Sequence, residues 1–403
     1  MDYIEKGTKA FNRANWALFL AGFITFANLY VSQPLLPTFA EEFHVSPAVA
    51  SLSLSVTTLA LSISMIIVGS LSEAWGRKSL MTISIFAASA LTLALAFSPN
   101  FETILVLRVI QGVVFAGLPA IAMAYLGEEI APTSLGVAMG LYISGNSVGG
   151  LSGRVIIGTL TDLYNWQVGM IVLGVISLMI SVLFIWMLPN SKNFTARPLQ
   201  IKALTKSLIQ HLKDPSMLCL FGISFVLMGS FVTLYNYIGF KLMAPPYNLS
   251  ATIVGWIFVI YLVGTFSSAW FGSLADRFGR QKMLLLAIAI MLAGAIITLQ
   301  SLLLLKILGI TVFTFGFFAA HSIASGWVSK RATHDKAQAS SLYLFFYYFG
   351  SSVGGTAGGV FWMHFGWVGV IAMITVFLVI ACMLTFVLKS VIAKQRLFTG
   401  LVK

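Results

Sequence analysis

The sequence predicts an all-α membrane protein whose twelve transmembrane helices form two pseudo-symmetric six-helix bundles. Three observations predict it. Of 403 residues, 59% are apolar and 9% charged, with a mean hydropathy of +0.95. Soluble domains run about 45–50% apolar and about 25% charged, so a soluble enzyme and a nucleic-acid binder are excluded. The apolar residues run continuously for the roughly 20 positions a helix needs to cross a bilayer, rather than alternating as in a membrane β-barrel. Finally, the second half of the chain repeats features of the first at an offset of about 200 residues.

Read off the apolar runs, the first six spans fall near 16–36, 48–70, 80–98, 102–125, 136–158 and 166–188. The second six fall near 216–240, 251–274, 283–300, 302–326, 338–361 and 366–388. They define one bundle over 1–188, a linker over 189–215 and a second bundle over 216–403. The first span starts at Trp16 with no small-residue cleavage site behind it, so it reads as a membrane helix rather than a removable leader. Cys219 and Cys382 fall inside spans and read as small buried hydrophobes. In the linker, Ile201, Leu204, Leu208 and Leu212 recur at helical spacing against Lys202, Lys206 and Lys213, the pattern of a helix lying on an anionic membrane surface.

The net charge of +12 is a topology signal. With the N-terminus inside, 20 of the 24 Lys and Arg fall in loops and tails on one side, whereas the opposite loops carry Glu41, Glu42, Glu102 and Asp162 against Lys241. The positive-inside rule then puts both termini in the cytoplasm.

The repeat is specific. The segment Gly69-Ser-Leu-Ser-Glu-Ala-Trp-Gly-Arg-Lys78 follows the second span, and Gly272-Ser-Leu-Ala-Asp-Arg-Phe-Gly-Arg-Gln281 follows the eighth. Gly145, Gly149 and Gly153 on the fifth span match Gly350, Gly354 and Gly358 on the eleventh. Parallel halves related by an axis along the membrane normal are a transporter architecture, with the substrate site between them near the midplane. The doubled loop resembles the signature of the major facilitator superfamily. Arg108 followed by Gln111 and Gly112, and the run Gly145 to Gly150, resemble motifs of its drug:proton antiporter branch. Two departures stand out. Glu73 replaces the usual aspartate, and Asn146 stands where the antiporter motif has proline, which predicts a straighter fifth helix. The resemblance implies that Gly69, Glu73, Gly76, Arg77 and Glu128, with Gly272, Asp276, Gly279 and Arg280 in the second half, form a cytoplasmic gate. Arg77 is placed to pair with Glu128 or Glu129, whereas no acid ends the tenth span to serve the second loop, so the gate is expected to be asymmetric.

Each glycine triplet recurs every fourth residue and forms a smooth stripe on which another helix can approach closely; the stripe is expected where the halves meet. Arg154 and Ser147 point away from it, leaving Arg154 either to a wet cavity or to the outer surface. Charges inside spans are functional by default. Arg108, Gln111 and Phe115 share one face of the fourth helix and are expected to line the cavity. His321, with Phe317 on its face, titrates near neutral pH and is paired with Arg108 as the candidate for proton coupling. Asn28, Tyr30, Gln33, Tyr235, Asn236 and Tyr347 are further cavity candidates. No Asp or Glu lies well inside a span, so the cavity should favour an anionic or neutral hydrogen-bonding substrate over a lipophilic cation.

These readings converge on a secondary active transporter working by alternating access. It would use the proton gradient, with no cofactor or metal, to export a small amphipathic or anionic organic compound. A facilitator or proton symporter importing a small organic anion or sugar-like solute is the alternative. A membrane-embedded enzyme is remote, because no span holds metal-ligand spacing or an activated nucleophile. The expected partners are the substrate, protons and membrane lipid, with no nucleic acid. The chain is expected to act as a monomer in a bacterial plasma membrane.

Overall fold

The computed structural model describes residues 3–195 and 201–400, and within these range limits the side chains of Gly69, Ser70, Glu73, Ala120, residues 201–203 and residues 396–400 lie outside the described residues. The chain is helical almost throughout, and each predicted apolar span falls largely on helix, though the first ends early, at Leu29, before a turn over residues 30–35. Helix α1 (Lys9–Leu29) starts where Thr8 Oγ1 accepts the Phe11 amide at 3.1 Å, satisfying one of the donors a helix start leaves open. After the short α2 (Leu36–Glu42) come α3 (Pro47–Trp75) and α4 (Arg77–Leu95). Asn100 caps α5 (Phe101–Phe115), accepting from Thr103 N at 2.9 Å. The fourth span breaks there, and α6 (Pro119–Glu129) resumes it with its proline in the first turn, where the missing N–H costs nothing.

Helix α7 (Leu135–Leu163) runs unbroken through Asn146, and α8 (Trp166–Met187) closes the first half. The linker helix α9 (Ile201–Lys213) leads to α10 (Pro215–Met243). The eighth span is α11 (Ala251–Trp256), one 3-10 turn (Ile257–Ile260) and α12 (Tyr261–Phe278). Then follow α13 (Arg280–Ile297), α14 (Leu303–Arg331) and α15 (Lys336–Gly400), which Gly366 at φ 57° and ψ −145° divides into the eleventh and twelfth spans. Among the described residues, eight helices are long and apolar enough to cross a bilayer. The broken fourth span is not among them, since neither α5 nor α6 is long enough by itself.

The repeat seen in the sequence has a backbone counterpart. Gly76 between α3 and α4, and Gly279 between α12 and α13, both sit at φ 94°. A side chain is strained there, which is why both copies of the loop place glycine at that position.

Two compact units emerge. The first holds residues up to Val45, the chain from Leu52 to the linker, and Leu242–Phe258. Its core packs Leu18, Ile24, Met81, Ile85, Ile121, Tyr125 and Phe184. The second holds Ser46–Ser51, the chain from Ile201 to Lys241, and everything from Val259 onward. In it, α9 is docked through His211, which is 3% exposed and stacked on His334 at 4.7 Å. The linker helix is therefore attached to protein through one edge.

Candidate transport site and gates

Both glycine stripes serve contacts within a unit. A Cβ on Gly145 would lie 2.3 Å from the Phe19 carbonyl oxygen, one on Gly149 2.0 Å from that of Phe23, and one on Gly153 2.6 Å from Ala27 Cα. The stripe thus seats α1 on α7, and the expected meeting place of the halves is instead a seam inside the first unit. In the second unit, Gly350 faces the Phe225 backbone, Gly354 that of Gly229, and Gly358 the side chains of Thr233 and Tyr237, seating α10 on α15. Small residues let two backbones approach where bulky ones would hold them apart.

This tight seam brings the end of α1 to Arg108. Arg108 is 0% exposed. Its Nε donates to Ser53 O at 2.8 Å, Nη1 to Asn28 O at 3.0 Å and to Gln111 Oε1 at 2.7 Å, and Nη2 to Leu29 O at 2.6 Å. Asn28 and Leu29 close α1, so the guanidinium caps carbonyls that the helix leaves unpaired, at the negative end of its dipole. Gln111 Nε2 donates to Ala88 O and to Thr92 Oγ1, Thr92 donates to Asn28 Oδ1, and Asn28 Nδ2 donates to Ser177 Oγ at 2.8 Å. One closed network therefore ties α1, α3, α4, α5 and α8. Arg108, Gln111 and Asn28 do not line open space, and Phe115 is buried at 1%. The physical reason is donor saturation: a buried guanidinium carries five N–H donors and is tolerated only where fixed acceptors meet them.

Arg154 takes neither of its two expected places. It is 2% exposed, donates from Nε and Nη2 to Gln33 Oε1 at 3.0 and 2.7 Å and from Nη1 to Gly150 O at 2.7 Å. Its guanidinium carbon lies 4.3 Å from the Tyr30 ring centroid and 4.4 Å from that of Phe258, a cation–π sandwich. Ser147 is exposed and donates back to Ile143 O. At the end of α7, Asp162 accepts from the backbone N–H of Ala251 at 3.0 Å and of Thr252 at 2.6 Å, capping α11. Gly158 and Gly255 allow that approach, a Cβ on each lying under 3 Å from Ala251 O and Arg154 O respectively. Sequence reasoning missed this clamp.

In the second unit a cavity of about 320 Å³ is lined by His321, Ser322, Ser325, Ser329, Ser340 and Tyr343, among others. His321 is half-buried, hydrogen-bonded through Nδ1 to the Tyr343 hydroxyl at 3.0 Å, 4.8 Å from the Tyr347 ring and stacked at 5.9 Å on Phe317. Phe317 in turn stacks on Phe231 at 3.8 Å. Tyr235 and Asn236 are buried away from this cavity, Tyr235 sharing a 2.7 Å hydrogen bond with Thr314. The signal that would have revealed the cavity wall is Ser322, Ser325 and Ser329, a polar row at helical spacing within an apolar span. Lys306 is buried, its Nζ donating to Thr298 O beside the Trp367 ring.

At the basic-loop end, Arg77 reaches Glu128 at 2.7 Å and also donates to Ser72. Asp276 accepts from Arg280 at 2.6 Å and from Lys330 at 2.9 Å. The asymmetry is one of sign. In the first loop a base meets an acid ending α6, and in the second an acid meets a base ending α14. Gly272 makes only an ordinary contact with Ser322, whereas the contacts of Gly69 and Glu73 lie outside the described residues.

Comparison with known proteins bears on these features together. The model of the Major Facilitator Superfamily matches residues 18–246 and 230–398. The chain is 57% identical over 385 residues to the uncharacterized MFS-type transporter YybF of Bacillus subtilis, covering 96% of this chain and 95% of that one. It is 45% identical over 380 residues to the inner membrane transport protein YnfM of Escherichia coli, covering 94% and 91%. A bacterial homolog of the human lysosomal transporter Spinster superposes with a TM-score of 0.80 at 16% identity, covering 96% of this chain and 99% of that one. The doubled glycine turn, the paired bundles and these matches have one reading: the chain is an integral membrane transporter, not an enzyme, and belongs to the Major Facilitator Superfamily.

Proposed function

We propose that this transporter works by alternating access, driven by inward proton flow, to export a small amphipathic or anionic organic compound. One observation carries the reading. Arg108, Arg154 and Lys306 have their donors engaged by carbonyls, amides and rings, whereas His321 stands at a cavity. His321 is then the group that takes the proton. When protonated it offers a carboxylate a charge-assisted partner, and the Phe317 and Tyr347 rings offer an apolar body a surface. Arg108 serves coupling indirectly, by holding the end of α1 in place. Export as the direction rests on the resemblance of Arg108 to Gly112 and Gly145 to Gly150 to antiporter motifs. The excess of Lys and Arg in the loops that carry Arg77 and Arg280 supports a cytoplasmic position for that end and for both termini, in a bacterial plasma membrane, with one chain as the working unit.

The test uses purified protein in liposomes with an internal pH dye and a panel of carboxylates, sugars and lipophilic cations. Carboxylate-evoked proton flux that is lost in His321→Ala supports the reading. Substrate flux without proton movement would remove the coupling, and robust flux of cations alone would remove the substrate class. A second reading, uptake of a sugar-like solute, is favoured by the Ser322, Ser325, Ser329 and Ser340 hydroxyls, which suit a polyol. The sign of solute movement against an imposed pH gradient separates the two.

A further inference from the structure

A second cavity, of about 550 Å³, lies in the first unit at the start of α4 and is lined by Lys78, Ser79, Thr82 and Ile83 together with Asn190 and Ser191 of the linker. Its electrostatics are one-sided. Lys78 Nζ donates to Leu188 O at 2.6 Å and to Asn190 Oδ1 at 3.0 Å, and Arg13 donates to Trp186 O. These are neutral acceptors at the end of α8, and among the described residues neither cation makes an ion pair. Arg77, on the same wall, is balanced by Glu128. Ser191 Oγ is shielded and has no hydrogen-bond partner. The cavity wall therefore carries Lys78, with Arg13 beside it, bound at the end of α8 rather than in the lining, neither ion-paired among the described residues, and hydroxyls to orient a tetrahedral anion.

What lies beside it selects the anion's carrier. Ile83 on the cavity wall is 60% exposed, and Leu183 and Trp186 on the neighbouring α8 are 45% and 73% exposed. In a membrane protein that apolar strip faces acyl chains. A soluble phosphate would use the cations and leave the strip idle, whereas a phospholipid uses both. We propose that this cavity binds the headgroup phosphate of an anionic phospholipid, its chains lying along α4 and α8. Lys78 on the wall, reinforced by Arg13 bound at the adjoining end of α8, supplies the net charge that discriminates an anionic from a zwitterionic headgroup. The site is distinct from the His321 cavity and does not depend on which substrate is carried.

The full chain in detergent, titrated with phosphatidylglycerol and followed by native mass spectrometry, tests this. Phosphatidylglycerol should be retained at least tenfold better than phosphatidylcholine. That preference should fall at least tenfold in the Arg13→Gln/Lys78→Gln double variant and stay unchanged in a Lys389→Gln/Lys394→Gln control. Ser191→Asp, a loop substitution that puts a carboxylate into the cavity, should abolish retention and serves if the double variant does not fold. Equal retention of the two lipids, or retention unaffected by both Arg13→Gln/Lys78→Gln and Ser191→Asp, overturns the proposal. Competition by glycerol 3-phosphate at matching concentration also overturns it, since the site would then take a soluble phosphate.

Discussion

Replacing Arg108 by lysine separates a structural from a proton-carrying role. The guanidinium makes four hydrogen bonds to three elements: Ser53 O on α3, Asn28 O and Leu29 O on α1, and Gln111 on its own helix. A lysine ammonium has three donors on one nitrogen and cannot span acceptors on both α1 and α3. About two of the four bonds are lost, and at about 1.5–3 kcal/mol for each bond to a charged group the cost is about 3–6 kcal/mol. Thermal unfolding in detergent should therefore show a large fall for Arg108→Lys and a larger one for Arg108→Ala. His321→Ala, which breaks one side-chain hydrogen bond and the ring contacts to Phe317 and Tyr347 at a cavity edge, should show a much smaller fall than either Arg108 variant. In proteoliposomes Arg108→Lys should weaken substrate exchange and proton-coupled flux together. If Arg108→Lys is as stable as the parent, and loses proton coupling while exchange survives, the capping argument is wrong and the arginine acts through its charge.

Gly149→Ala should destabilise by about 1–3 kcal/mol through overpacking, because its Cβ would meet the Phe23 backbone at 2.0 Å. Gly140→Ala, with nothing within 4 Å, should be neutral or gain up to about 1 kcal/mol of helix propensity, and paired melting curves check both. For Asp162, burial opposes ionisation, but hydrogen bonds from Thr252, Ser250 and the Ala251 amide outweigh it and hold the carboxyl below its ordinary 3.8. A depressed folded value means that the capping stabilisation is complete above the unfolded value and is lost as pH falls through the folded one. The protection of Ala251 and Thr252 against hydrogen exchange, taken relative to the intrinsic rate at each pH, should accordingly stay constant across neutral pH and fall only below about pH 4, with Asp162→Ala weakly protected at every pH. Glu128→Gln should expose Arg77, raising the labelling rate of a cysteine placed at Ser79. Asp276→Asn, whose ion pairs are mostly exposed and so worth little, should change labelling at its own loop far less.

Much of the fold was legible in the sequence because its causes are local. An apolar run of membrane length is visible residue by residue, and so is a charge bias between loops. The doubled loop was legible too, since a backbone at φ 94° admits glycine and little else, leaving Gly76 and Gly279 as printed traces of the turn. The Arg77–Glu128 pair was foreseen because the two helix ends share one side of the predicted topology. The candidate site was less legible. Helical spacing put Arg108, Gln111 and Phe115 on one face but said nothing of what that face meets. Likewise, the Gly145 stripe announced a close approach without naming the approaching helix, which proved to be α1.

The sequence by itself determined that this chain is a helical membrane protein built from two related halves, because hydropathy, charge bias and glycine turns act over a few residues. Only the tertiary structure decided which intramembrane charges are engaged and which group stands at a cavity. The acceptors that engage Arg108 come from the end of α1, from Ser53 on α3 and from Gln111, and Arg154 is held by Gln33, Gly150 and the Tyr30 and Phe258 rings. His321, by contrast, gained a serine-lined space. Burial of a charge is decided by partners far away in the chain, and no local pattern records which of them the fold will bring.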